Sequence, residues 1–179
     1  HWLATAATLS FAVPVQAAQN DPRLAPLFDR LREAGSAEEA EPIEQSIWQI
    51  WLLSGNGKVD ADMLRGLHAM GQGRHEEALE AFERVVAAQP DFAEGWNKRA
   101  TVNYLLGRYD ESVQDIQKTL ELEPRHFGAL SGLGLINVAL GRDRQALAAF
   151  EAALKIHPNL PGADTNIREL REKVKGKGI

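Results

Sequence analysis

The side chains with most chemistry to offer are the histidines, the paired acids and the serines, so their spacing is read first. His68, His75, His126 and His157 are spread along the chain with no HExxH pair and no clustered carboxylates, whereas a zinc shell needs three or four converging donors. Asp60 and Asp62 beside Asn56-Gly57 suggest a calcium loop, but its register puts Leu52 and Met63 at the essential carboxylate positions. Asp60 is then expected to cap a helix, and Asp91 with Glu94 has the spacing of a capping box. Ser131 has Gly128 three residues before it, which is not a nucleophile-elbow frame. Ser54 to Val59 lacks the spacing and hydroxyl of a phosphate loop and reads as a linker. Gly132-Leu133-Gly134 lacks the third glycine of a dinucleotide fingerprint. No acid, base and nucleophile set converges, so the chain is read as a non-enzyme with no cofactor and no metal.

The bulk properties narrow the partners. No cysteine is present, which excludes disulfides, thiolate nucleophiles and Cys-based metal sites. The net charge of −5 argues against a phosphate-tracking surface, so no nucleic acid is expected. Lys173, Lys175 and Lys177 read as a solvated basic tail. Trp2 to Val13 is uncharged and apolar or small, and Val15-Gln16-Ala17-Ala18 supplies small residues at the spacing of a signal-peptidase site. Residues 1–18 are therefore read as a signal peptide lacking its n-region, and the protein as exported and periplasmic, with no stable membrane span after cleavage. Retention by an uncleaved signal is the alternative.

The elements that would position any site are set by a repeat. Gly73, Gly107 and Gly141 are 34 residues apart, and so are Pro90, Pro124 and Pro158. Each glycine suits the end of one helix and each proline stops a second, so each unit is a helix pair. Gly66, Ala100 and Gly134 face Ala78, Ser112 and Ala146 where the helices cross, and Phe82, Ile116 and Phe150 supply bulk one turn further on.

This pattern resembles the tetratricopeptide repeat. Trp96, Tyr109 and Pro124 carry it in the middle unit, Leu133-Gly134, Ala146, Phe150 and Pro158 in the third, and Ala78, Phe82 and Pro90 in the first. Ala69, Asn103 and Asn137 replace the family's first-helix tyrosine, and Arg65 and Arg99 replace its leucine. The resemblance implies an all-α fold, an α-solenoid of stacked helix hairpins. Its parts are an N-terminal helical pair over 19–58, repeats at 59–92, 93–126 and 127–158, and a capping helix with basic tail over 159–179. Leu24, Leu27, Phe28 and Leu31, then Ile43, Ile47, Ile50 and Trp51, mark the N-terminal pair, which is expected to act as a degenerate opening repeat.

By the same resemblance the first helices line a concave groove that holds a protein or peptide partner. The groove residues carried over are Met63, Leu67, Met70, Glu94, Asn97, Lys98, Thr101, Tyr104, Ser131 and Leu135. Their makeup suits an apolar or helical guest, with Asn97 and Lys98 available for its backbone or terminus. Met63, Leu67 and Met70 packing beneath the opening pair, and Tyr104 as scaffold, is the competing reading. Met63, Leu67, Gly128 and Gly132 stand where some family members clamp a carboxyl terminus, which rejects that mode. The expected function is a protein-interaction scaffold of the cell envelope. The alternative is a self-associating structural protein using the Trp48–Trp51 face.

Overall fold

The computed structural model describes residues 18–176. Within them the chain forms a short 3-10 turn, Ala18–Asn20, and nine α-helices without strands: α1 Leu24–Glu33, α2 Ala37–Trp51, α3 Gly57–Gly71, α4 His75–Ala88, α5 Ala93–Leu105, α6 Tyr109–Leu122, α7 Phe127–Ala139, α8 Asp143–Ile156 and α9 Ala163–Gly176. The signal-peptide expectation falls almost wholly outside the described residues. Among the described residues, no helix is long and apolar enough to cross a membrane.

Helices α3/α4, α5/α6 and α7/α8 are the three repeated hairpins. Each first helix closes in the same way. Gly73, Gly107 and Gly141 take φ of 73°, 73° and 67°, and the next amide, of Arg74, Arg108 or Arg142, reaches back five residues to the carbonyl of Ala69, Asn103 or Asn137. A side chain there would strain the left-handed backbone, which is why glycine recurs. Inside the hairpins the small residues permit close approach. A Cβ on Gly66 would lie 2.5 Å from Phe82, and one on Gly134 would lie 2.7 Å from Phe150. In the middle hairpin Ala100 takes this place, and Ser112 Oγ donates to its carbonyl at 2.7 Å.

The departures from the family pattern have physical reasons. Arg99 forks onto Asp115 through Nε at 2.9 Å and Nη2 at 2.6 Å, with Asn103 donating to the same carboxylate. Arg65 and Arg84 both reach Asp62 at 3.1 Å. At Arg99 a bidentate ion pair, and at Arg65 a single bond to Asp62, thus stands in place of leucine packing. Two capping expectations are corrected. Asn56, not Asp60, caps α3, and Asp60 instead accepts from the Ser54 amide and hydroxyl. Phe92 is the N-cap of α5 without a side-chain bond, and Glu94 turns inward. Helix α9 closes the array with Ile167 and Leu170 buried beside Ala146 and Phe150.

The N-terminal pair does not open the stack as a degenerate repeat. It lies lengthwise along the edge where the repeats join. Gln19 donates to the Asp91 carbonyl at the first junction, Phe28 packs on Phe127 at the second, and Asn159 donates to the Ala34 carbonyl at the third. Helix α2 then returns: Glu44 meets His157, Trp51 meets His126, and the Ser54 carbonyl accepts from Gln89. The reason is that Leu24, Phe28, Leu31, Ile43, Ile47 and Trp51 form one continuous apolar face that only a long surface such as this edge can cover.

Candidate functional site

Glu94 lies at the centre of the molecule and is 1% exposed. Its Oε2 sits 2.7 Å from His126 Nε2, its Oε1 sits 3.1 Å from Lys98 Nζ, and Asn97 Nδ2 donates to it at 3.2 Å. His126 Nδ1 accepts from the Ala129 amide, capping α7, so the ring proton is on Nε2 and donates to Glu94. Burial by itself would raise the Glu94 carboxyl, but the Lys98 charge and the His126 hydrogen bond outweigh it and hold it below the ordinary glutamate value. Trp51 covers this cluster. Its ring stacks on His126 at 4.1 Å with planes 10° apart, and Trp48 lies 5.1 Å from Lys98 Nζ. The arrangement fastens α2, α5 and α7 together.

Beside this cluster the first helices of the second and third repeats part to leave an apolar cavity of about 250 Å³. Its base is Ala100, Ile116 and Ile136, its sides are Tyr104 and Leu135, and Gly128, Ser131 and Gly132 leave one wall without bulk. Helix α2 supplies the remaining wall with Trp48 and Glu44. Glu44 accepts from Trp48 Nε1 at 3.2 Å and meets His157 Nε2 at 2.9 Å. The His157 hydrogen bond chiefly lowers its carboxyl below the ordinary value, with Trp48 assisting against burial. Gly128 is needed here because a Cβ on it would lie 2.7 Å from the Trp48 ring.

The groove residues expected from the sequence divide. Asn97, Thr101, Tyr104, Ser131 and Leu135 come together around the cavity. Met63 is buried in the core with Val59 and Phe82, and Leu67 and Met70 pack against the same cluster, which, Ala18 aside, is built from the repeats and not from α1 or α2. Met63 and Leu67 also border a shallower apolar hollow of about 360 Å³ with Leu52, Leu53 and Leu64. Glu94 and Lys98 belong to the buried cluster, so neither presents itself to a guest as an open groove position would. Of the Trp48–Trp51 face, the alternative self-association surface, Trp51 is 1% exposed and Trp48 lines the cavity. Glu44, Trp48 and Leu160 were not expected at the site. The available signal was Trp48 itself, a large aromatic just off the Ile43, Ile47, Ile50 and Trp51 stripe. Among the described residues no group of three or more His, Cys, Asp or Glu is placed to hold a metal ion.

Comparison with known proteins agrees with this geometry. A family model described as tetratricopeptide repeat matches residues 63–122 and 106–161. A TPR repeat-containing protein of Rhizobium etli is 37% identical over 106 residues, covering 58% of this chain and 52% of its own length. The chain therefore spans about half the length of that curated relative. Among solved structures, the first TPR of Spaghetti bound to an HSP90 peptide superposes with a TM-score of 0.64 at 21% identity, covering 66% of this chain and 94% of its own. The Sgt2 TPR domain from Aspergillus fumigatus gives 0.65 at 16%, covering 69% and 83%, and the TPR2B domain of yeast Sti1, solved as a pHsp70 complex, gives 0.62 at 18%, covering 66% and 99%. At these identities the likeness speaks to the fold. With a family match running across 63–161, more than half of the sequence, this chain belongs to the tetratricopeptide-repeat family.

Proposed function

We propose that this protein is a non-catalytic interaction module that holds an apolar or helical segment of a partner protein against its concave face, with the α5/α7 cavity as the anchoring point. The observation that supports this best is an open apolar surface with a recess in it. Leu64, Leu105, Leu135 and Val138 are exposed at 67%, 46%, 39% and 38%, and the cavity opens beside Leu135. These four lie on the first helices α3, α5 and α7, whose side the family resemblance makes the concave one, and exposed apolar side chains there suit a surface meant to be covered. The solved neighbours that carry HSP90 and HSP70 peptides support peptide capture as a use of such a scaffold. The acid-ending mode is disfavoured here, because Asn97 and Lys98 are engaged with Glu94. Action outside the cytoplasm, in the cell envelope, is part of the proposal and is supported by the apolar run Trp2–Val13 and the small residues that follow it.

The test is site-specific photo-crosslinking in the native cells, with the probe at Leu135 and, as a control, at exposed Gln114 on the second helix of the middle repeat. A discrete adduct from Leu135 and none from Gln114 is expected. Equal yields from the two positions would remove the groove as the binding face, and fractionation of the same cells reports the compartment.

A further inference from the structure

We infer that the partner segment is recognised through a bulky apolar side chain followed closely by a cationic one, the first entering the α5/α7 cavity and the second meeting Glu44 on the N-terminal hairpin. This rests on the proposed groove function and names the chemistry of its ligand.

Size sets the apolar half. A cavity of on the order of 150 Å³ admits one benzene ring, while drug-sized ligands occupy roughly 300 Å³ or more. At about 250 Å³ the recess suits one Leu, Met or Phe side chain rather than a whole small molecule. Gly132, which presents no side chain, lets the guest backbone approach.

Charge sets the cationic half. Lys98 is committed to Glu94, so the central cluster is already balanced. Glu44 is different: among the described residues it pairs with no Lys or Arg, its partners being His157 Nε2 and the Trp48 indole. Its side chain keeps 23% exposure at the cavity wall. The carboxylate thus has lone pairs left for a charge-assisted hydrogen bond. Among the described residues that line the cavity there is no Lys or Arg to favour an acidic guest. The N-terminal hairpin, laid along the repeat edge, is on this account the specificity element of the site and the repeats are its anchor.

The test is affinity selection of a random twelve-residue display library on the full chain, followed by titration of the enriched peptides by tryptophan fluorescence. Enriched peptides should carry Leu, Met or Phe with Lys or Arg within about one helical turn. On the unaltered protein, replacing that cation by Glu should weaken binding about tenfold. Glu44→Gln, checked by hydrogen exchange for a docked hairpin, should erase the difference while leaving the apolar requirement. Gly132→Leu, which fills the recess, should abolish both. Equal affinity of cationic and acidic twins for the unaltered protein overturns the inference while a sensitive Gly132→Leu leaves the groove standing. Binding indifferent to Gly132→Leu overturns the groove reading itself.

Discussion

The α7/α8 hairpin and the α2 hairpin edge are held by opposite kinds of contact. Between α7 and α8, Gly134 lies under the Phe150 ring, an arrangement matched at Gly66 and Phe82 and made from neighbours close in sequence. Under α2, Trp51 covers a buried carboxylate, an imidazole and an ammonium, made once from residues far apart. The first kind is insensitive to which repeat it occurs in and builds the scaffold. The second specifies one position along it, because only one junction offers His126 to Trp51. The comparison predicts that damage to the first spreads and damage to the second stays local.

The largest effect should come from Phe150→Ala. It removes a fully buried ring at the joint of α7, α8 and α9, at a cost of about 3–5 kcal/mol in a large-to-small core change. Since each repeat is stabilised by its neighbours, thermal unfolding followed by circular dichroism should shift for the whole helical signal. Trp51→Ala removes a ring of similar burial, yet its loss is capped by the docking energy of the hairpin, which can detach instead of carrying a void. About 3 kcal/mol is expected, confined to faster hydrogen exchange over 18–58 with 63–161 protected as before. A uniform loss of protection would erase the proposed contrast.

Acid should separate the two regions next. The folded carboxyls of Glu94 and Glu44 lie below the ordinary value of 4.5, so their stabilising contribution is full above about that pH and is lost as pH falls through the lowered values. The hairpin should therefore loosen below about pH 4.5 while the repeats keep their helical signal. Tryptophan fluorescence reports it through Trp48 and Trp51, and the double variant Glu44→Gln, Glu94→Gln should flatten the transition. A transition of unchanged size in that variant would place the acid sensitivity elsewhere.

What was legible in the sequence follows the same division. The glycines at 73, 107 and 141 and the prolines at 90, 124 and 158 gave the helix pairs because turn chemistry and close packing are local and recur every 34 residues. The groove positions on α5 and α7 that reach the cavity, Asn97, Thr101, Tyr104, Ser131 and Leu135, came from the family resemblance that this period carries. Glu94 and Lys98 came with them but are spent on the buried cluster, since the resemblance says nothing of what covers a face. The bond from Glu44 to His157 spans 113 residues, and no spacing rule links residues that far apart. Arg99 looked like a flaw in the pattern until Asp115, on the opposite helix, supplied its partner.

One trace of the docked hairpin does keep the period. Gln89, Glu123 and His157 stand immediately before the three prolines, at the C-terminal end of the second helix of each repeat, and each is drawn into the N-terminal pair. Gln89 donates to the Ser54 carbonyl, Glu123 orients Arg125 through two bonds while that guanidinium lies 4.4 Å from the Phe28 ring, and His157 meets Glu44. If these are three separate fastenings, removing the weakest should free only its own stretch. Gln89→Ala deletes one neutral, partly buried hydrogen bond, worth about 1 kcal/mol. Hydrogen exchange should quicken roughly fivefold over 52–58, with Ala34 and Trp51 as protected as before. Loosening of the whole hairpin by this one change would mean that the edge is gripped as a single cooperative unit, in which the junctions share one opening equilibrium instead of holding the strap point by point.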